Sequence, residues 1–207
     1  MSNTLFPIFL KLEHLHTLVV GGGNVGLEKV EALLRQSPQA EVTVVAPEVR
    51  QELLDLQIYH PGLRIIHRLY RRWDLRGADL VICATDQPAL HARIRRQARR
   101  RHLLINVADT PDLCDFYLGS VVKKGNLKIG ISTNGYSPTL AKRLREWLTD
   151  ELPDEVDTLL ERLRAVRNGL KGDFAAKVDY LNRLTAVPEK LPDEQETEPL
   201  EITSEEP

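Results

Sequence analysis

The chain has 207 residues and a formal net charge of -2. That length suits one α/β domain with a smaller module, and the near-neutral charge excludes the broad basic surface of a nucleic-acid-binding protein. Two cysteines, Cys83 and Cys114, with no paired spacing, exclude a disulfide framework and a zinc site. The first twelve residues lack the pattern of a signal peptide, and no apolar run reaches transmembrane length. The expected location is the cytoplasm, with no membrane partner.

The first half of the chain alternates short apolar runs with amphipathic stretches. An apolar stretch at 5–10, interrupted by Pro7, fits an edge strand. Buried strands are predicted at 18–20, 42–46, 63–67, 80–84 and 103–107. Helices are predicted at 24–36, 48–56 and 87–102. Strands alternating with helices of this length predict an α/β fold, a Rossmann-type parallel sheet with right-handed crossovers.

A glycine-rich turn, VVGGGNVG, joins the first predicted strand to the first predicted helix. The dinucleotide-binding fingerprint requires a glycine motif between a strand and a helix, and this turn contains it as Gly21-x-Gly23-x-x-Gly26. Gly21 permits the tight turn, Gly23 lets a pyrophosphate approach the backbone, and Gly26 lets the helix pack closely on the strand. The helix N-terminus then offers N–H groups to the phosphates. The alternative is a tight strand-to-helix loop without a ligand.

Polar residues follow the other strand ends, where ligands of open parallel sheets bind. Glu48, just past the second strand, is placed either to meet the adenine ribose or simply to begin a helix. Arg50 is close, but no arginine occupies the strand tip itself, which favours NAD over NADP. Asp109 follows the fifth strand and could accept a proton from a substrate. Its alternative role is that of a turn aspartate before Pro111.

The pattern changes after Asp109. Strand-like segments at 116–122 and 127–132 flank a Gly-Asn turn typical of a hairpin. Ser137-Pro138 opens a helix to about residue 152, and two further helical patterns start at Pro153 and Phe174. The segment from 187 is acidic and contains prolines, so disorder is expected there. The predicted domains are 1–112 for the nucleotide, 113–150 for dimerisation, 151–186 as a helical domain, and 187–207 as a tail.

Two groups of basic residues and six histidines are further candidates for function. The arginines between Arg93 and Arg101 lack interleaved aromatics and favour a solvated helix face over a nucleic-acid surface. The six histidines show no metal-ligand spacing, so no metal site is predicted. Lys123, Lys124 and Arg143 lie close in sequence to the proposed crevice and could meet an anionic substrate.

Six segments in order resemble a known family. They are FPIFLKL, VVGGGNVGLEKV, VVAPEV, ICATDQPALH, INVADTPDLCDFY and ISTNGYSPTLAKRLRE, within residues 5–152. The chain resembles the precorrin-2 dehydrogenases of sirohaem biosynthesis, which also form the N-terminal module of sirohaem synthases. The resemblance implies an oxidoreductase that uses NAD to convert precorrin-2, a tetrapyrrole, to sirohydrochlorin. It also implies a homodimer with a hairpin-containing dimerisation region and a small helical domain.

The resemblance also assigns residues. The family's essential aspartate lies in its NVxD motif, which makes Asp109 the catalytic residue here. The implied cofactor-binding residues are Gly21, Gly22, Gly23, Asn24, Val25, Pro47, Glu48, Thr85 and Asn106. Because the substrate is a polycarboxylate, Lys123, Lys124 and Arg143 are its candidate partners.

The chain departs from the family at three positions. Gly26 stands where alanine is usual, Leu118-Gly119-Ser120 replaces a proline-containing strand, and Thr133 replaces a serine phosphorylated in some fused members. Two alternative functions stay open. One is a bifunctional enzyme that also inserts ferrous iron as a ferrochelatase. The other is an NAD-binding redox sensor without catalysis.

Overall fold

The apolar runs of the first half of the chain form one parallel sheet. A computed structural model describes residues 3–169 and 174–185. The sheet order is β3-β2-β1-β4-β5. Its strands are β1 (His16–Gly22), β2 (Glu41–Val49), β3 (Leu63–His67), β4 (Leu80–Cys83) and β5 (Leu104–Val107). Its crossover helices are α1 (Asn24–Gln36), α2 (Gln51–Tyr59) and α3 (Pro88–Arg99). The predicted Rossmann-type fold is confirmed.

Helices cover both faces of the sheet, which explains the nearly continuous apolar strands. Successive residues of β1 point to opposite faces. Leu18 belongs to a buried cluster with Ile94 of α3. Val19 belongs to a second buried cluster with Val30 of α1. All four side chains are at most 1 % exposed. The sheet is therefore a rigid platform for the loops at its carboxyl edge.

Several predicted boundaries differ from the structure. The strand predicted at 116–122 begins at Ser120 rather than at residue 116, and two other differences lie at the end of β2. Strand β2 continues past Pro47 to Val49, because a register irregularity after Val20 brings Val49 opposite Gly22. A proline is tolerated at such an irregularity, where no ladder hydrogen bond is required of it. The predicted start of the second helix at residue 48 is therefore wrong, and α2 begins at Gln51.

The predicted edge strand at 5–10 is also wrong. These residues have no regular secondary structure, and all of them are exposed. Pro7 lacks the N–H that would pair with a neighbouring strand, and this segment does not join the five-stranded sheet. The apolar composition of this segment is therefore not explained by burial in the five-stranded sheet.

The second half contains the predicted hairpin and three helices. Strands β6 (Ser120–Lys124) and β7 (Leu127–Ile131) form a two-stranded sheet. They are followed by α4 (Pro138–Glu151), α5 (Val156–Gly169) and α6 (Phe174–Leu184). Ser137 caps α4, since its hydroxyl oxygen accepts a hydrogen bond from the Leu140 N–H at 3.1 Å. The predicted hairpin and serine cap are both confirmed.

The described residues fall into two compact units. The first runs to Val121 and includes Gly130–Trp147; the second comprises Val122–Ile129 and the described residues from Leu148 onward. The domain boundaries predicted at 112, 150 and 186 stay predictions, and the predicted tail at 187–207 lies outside the described residues. No helix among the described residues is long and apolar enough to cross a membrane.

Candidate functional site

The candidate site lies at the carboxyl edge of the sheet, in the first unit. Strand β4 lies between β1 and β5, so the segments that follow these three strands are neighbours. They carry Gly21 to Gly26, Thr85, and Asp109. The main chain ties two of them together, since the Ala108 N–H donates to the Cys83 carbonyl at 2.9 Å. The sequence prediction that these loops share one edge is confirmed by the strand order.

Three glycines of the loop, Gly21, Gly22 and Gly26, are required by close backbone contacts, and those of Gly21 and Gly26 are the shortest. Gly21 has φ of +120°, and a Cβ added there would lie 2.2 Å from the carbonyl oxygen of Ala84. A Cβ at Gly26 would lie 2.2 Å from the carbonyl oxygen of Gly21. Both separations are far below van der Waals contact. The loop therefore packs against β4 and α1 at distances that only glycine allows.

Gly23 differs from its neighbours because it faces open space. It is exposed, and a Cβ built on it meets nothing within 4 Å. It precedes α1, whose first residues, Asn24 and Val25, have N–H groups without partners inside the helix. Open backbone beside a helix N-terminus is the arrangement that binds phosphate groups. The residues present therefore fit the pyrophosphate of a dinucleotide.

The end of β2 meets the glycine loop through Arg50. The Arg50 N–H donates to the Gly22 carbonyl at 2.9 Å, and its Nη1 donates to Oδ1 of Asn24 at 2.5 Å. Pro47 and Glu48 precede it and are both exposed. The structure thus brings the predicted residues at the end of β2 next to the predicted loop.

Thr85 begins the loop after β4, and a buried histidine lies against it. Its hydroxyl oxygen lies 2.8 Å from Nε2 of His91 and accepts a hydrogen bond from the Gln87 N–H at 3.3 Å. His91 is only 4 % exposed. Burial lowers the pKa of His91, and the carboxylate of Asp86 opposes this only in part. A neutral His91 therefore fixes the rotamer of Thr85 beside Gly21.

Asn106 near the end of β5 holds the chain that follows Asp109. It is 6 % exposed, and its Nδ2 donates to the Phe116 carbonyl at 2.8 Å. Sγ of Cys114 accepts a hydrogen bond from the Val107 N–H at 3.2 Å. Burial raises the pKa of this thiol, which keeps it protonated. Asn106 and Cys114 together fold the segment after β5 back along the strand.

Asp109 lies in the turn between β5 and the segment that runs back along it. It is exposed, and its φ of +55° is unusual for a residue other than glycine. The turn is closed by a hydrogen bond of 3.3 Å from the Thr110 N–H to the Val107 carbonyl. Within residues 3–169 and 174–185, no hydrogen bond or ion pair holds its carboxylate. A strained, exposed carboxylate at a ligand-binding edge suits a reactive group.

The three candidate substrate partners are not equivalent. Lys124 forms an ion pair of 2.6 Å with Asp154, within the second unit. Lys123 also belongs to the second unit and is exposed, whereas Arg143 is an exposed residue of α4 in the first unit. Lys124 is therefore already neutralised by a carboxylate, which the sequence pattern did not indicate.

Sequence reasoning missed His91 and the ion pair that Arg50 makes with Glu52 at 2.5 Å. His91 carries one usable signal, since it shares the inward face of α3 with Ile94 and Ala98. Among the residues that the structure describes, no group of three or more histidine, cysteine, aspartate or glutamate side chains could hold a metal ion.

Comparison with known families gives two matches along the chain. Residues 8–120 match the family described as "Putative NAD(P)-binding". Residues 124–151 match the family described as "Sirohaem biosynthesis protein central". The first match covers the five-stranded sheet, and the second covers most of the hairpin and α4.

Curated relatives include sirohaem synthases from several bacteria. The enzyme of Psychrobacter arcticus is 35 % identical over 176 residues, which are 85 % of this chain and 31 % of the relative. That of Methylococcus capsulatus is 38 % identical over 154 residues, 74 % of this chain and 32 % of the relative. The chain thus spans about a third of the length of the curated relatives it matches.

Among solved structures, "SirC, precorrin-2 dehydrogenase" superposes with a TM-score of 0.71. The two chains are 24 % identical, and the match covers 87 % of this chain and 89 % of that one. This likeness shows a shared fold. The chain belongs to the family described as "Putative NAD(P)-binding", and its hairpin and α4 match the segment described as "Sirohaem biosynthesis protein central".

Proposed function

We propose that this protein oxidises precorrin-2 to sirohydrochlorin with NAD as the hydride acceptor. The observation that carries the proposal is the common edge of the sheet, where the open glycine loop after β1 and the strained Asp109 after β5 flank the end of β4. A dinucleotide site and a carboxylate on one edge suit a dehydrogenase. The sirohaem synthase relatives supply the substrate class.

The cofactor-binding part of the proposal has named residues. The loop from Gly21 to Val25 would hold the pyrophosphate at the N-terminus of α1. Pro47 and Glu48 would line the adenosine side, where a carboxylate can accept hydrogen bonds from ribose hydroxyls. Thr85, oriented by His91, would lie toward the nicotinamide. Asn106 would shape the pocket wall through its bond to Phe116.

Oxidation removes one hydride and one proton from the substrate. When bound, the nicotinamide supplies the hydride acceptor. The carboxylate of Asp109 would take the proton, since it is exposed and no described residue competes for it. Arg143, an exposed residue of the first unit, would meet a substrate carboxylate.

The proposal includes a homodimer. Phe6 is 85 % exposed and Phe9 is 70 % exposed, in an apolar segment without regular secondary structure. Tyr136 and Trp147, which lie just before and within α4, are 75 % and 57 % exposed. Exposed aromatic groups of this size favour burial by a second copy through a two-fold contact. The hairpin β6–β7 would take part, because two strands alone are marginally stable.

The direct test is a coupled pair of measurements on one preparation. Calorimetry should show binding of NAD+, and incubation with precorrin-2 should produce NADH, followed by its absorbance. NAD+ binding without NADH formation would contradict the enzymatic proposal and favour a redox sensor. The absence of NAD+ binding would contradict both.

A further inference from the structure

Arg50 holds a position that is usually decisive for cofactor choice. It directly follows β2, and it is tied to the glycine loop by main-chain and side-chain hydrogen bonds to Gly22 and Asn24. In this class of fold, groups just beyond the second strand contact the adenine ribose. An acid there accepts the ribose hydroxyls of NAD, whereas an arginine accommodates the 2′-phosphate of NADP.

The guanidinium of Arg50 is already engaged with an acid of its own chain. Its Nε donates to Oε2 of Glu52 at 3.1 Å, and its Nη2 donates to Oε1 of Glu52 at 2.5 Å. This is the two-pronged geometry in which arginine also binds phosphate. With the bond to Asn24, these contacts use three of the five N–H donors that an arginine has. The Nε–Nη2 edge of the Arg50 guanidinium is the edge best suited to bind a phosphate, and Glu52 already occupies it.

The local charge also opposes a phosphate. Arg50 supplies one positive charge, while Glu52 and the exposed Glu48 supply two negative charges. The ion pair lowers the pKa of Glu52, so this carboxylate stays ionised at neutral pH. A 2′-phosphate adds roughly two further negative charges at this pH. A ribose with a neutral 2′-hydroxyl meets no such opposition.

We propose that the Arg50–Glu52 pair makes this chain select NAD over NADP, with Glu52 occupying the arginine edge that a 2′-phosphate would otherwise take. The inference rests on the proposed dinucleotide site and specifies its ligand. It also makes Glu52 a specificity-determining residue, although no contact between Glu52 and the cofactor is required.

The test measures the binding of NAD+ and NADP+ by calorimetry at one fixed ionic strength. Wild-type protein should bind NAD+ more tightly than NADP+. In Glu52→Gln, the Kd for NADP+ should fall by about tenfold, the effect of gaining one charge-assisted hydrogen bond, with the Kd for NAD+ nearly unchanged. Adding Arg50→Gln to that variant should abolish the gain.

A matched control separates this effect from a general change in charge. Asp55→Asn removes one acid from the same helix, where Asp55 accepts a hydrogen bond from Gln51, and leaves the Arg50–Glu52 pair intact. It should change the NADP+ affinity much less than Glu52→Gln does. Melting temperatures should be equal among the variants, because the substituted side chains are exposed.

The calorimetric results would separate a failure of cofactor selection by Glu52 from a failure of dinucleotide binding. An NADP+ affinity that Glu52→Gln leaves unchanged would overturn this inference alone. Wild-type protein that prefers NADP+ would overturn this inference and also contradict NAD as the hydride acceptor of the proposed function. Equal gains in Glu52→Gln and Asp55→Asn would also overturn it. Protein that binds neither dinucleotide would overturn the proposed function together with this inference.

Discussion

At the scale of single residues, we expect two glycines of the loop to have different roles: Gly23 is needed for cofactor binding, and Gly21 is needed for folding. Gly23→Val should abolish NAD+ binding with the fold kept, because a side chain at Gly23 enters open space where the pyrophosphate would lie. Gly21→Ala should instead lower the melting temperature, since its Cβ would lie 2.2 Å from the Ala84 carbonyl oxygen. Calorimetry and thermal unfolding on both variants check this contrast. Unchanged NAD+ affinity in folded Gly23→Val would refute the role of Gly23.

Asp109→Asn should lose about 10²–10⁴-fold in turnover, the usual contribution of a positioned proton acceptor. Folding should survive, because asparagine tolerates the left-handed backbone of residue 109 at least as well as aspartate does. NAD+ affinity should stay nearly constant. Asp112→Asn, an exposed acid three residues on, is the control and should retain turnover. Near-normal NADH formation by Asp109→Asn would remove it as the base.

His91 should make stability depend on pH. Its pKa is lowered by burial in the folded protein, so the unfolded chain binds a proton more readily. The stability is therefore fully present above about pH 6.5, the unfolded value, and declines as the pH falls toward the folded-state pKa. Urea unfolding at pH 7.5 and 5.5 should show this loss, and His91→Gln should reduce it. The exposed His14→Gln should not; equal pH slopes in all three proteins would contradict the role of His91.

The candidate site could be predicted only in part. The glycine spacing is local, so sequence was sufficient to locate the loop that the structure shows. The contact of Arg50 with Asn24 was not predictable, because it joins segments 26 residues apart and depends on the register of β2. The role of Asp109 came from resemblance, since a turn aspartate explains its sequence context equally well.

At the scale of elements, the turn of the β6–β7 hairpin depends on α5. Oδ1 of Asp157 accepts hydrogen bonds from the N–H and Nδ2 of Asn126 at 2.7 and 2.8 Å. Asp157→Ala should destabilise the second unit by about 1–3 kcal/mol, from two lost hydrogen bonds. Chemical unfolding would measure this loss. Glu161→Ala, one turn further along α5, should be nearly neutral; equal losses in both variants would contradict the capping role of Asp157.

Elements with a strong apolar pattern were predicted well, and those shaped by tertiary pairing were not. Helix α1 and strand β3 match their predicted bounds because both are delimited by local signals. Strand β2 was cut short at Pro47, since the irregularity that carries it to Val49 depends on pairing with Gly22. Residues 5–10 have the composition of a strand, but nothing in their pattern reveals whether a sheet edge is available.

At the scale of the whole molecule, the exposed aromatic segment should control assembly. Phe6→Glu should shift the protein from dimer to monomer at micromolar concentration, because a charge would be buried at the proposed interface. Sedimentation velocity would measure the change. Ile58→Glu is a matched control, since Ile58 is 75 % exposed on α2 and lies outside the proposed interface. A monomeric wild-type protein would refute the dimer.

The left-handed backbone at residue 109 should make selection for protein abundance and selection for activity favour different substitutions at this position. Glycine and asparagine suit that conformation, and β-branched residues do not. In a saturation library at this position, cellular abundance would therefore rank substitutions by backbone preference, while sirohaem-dependent growth would retain only aspartate. Glycine and asparagine would be retained in the abundance ranking although both lack the carboxylate, so abundance alone would not identify that carboxylate as a functional group.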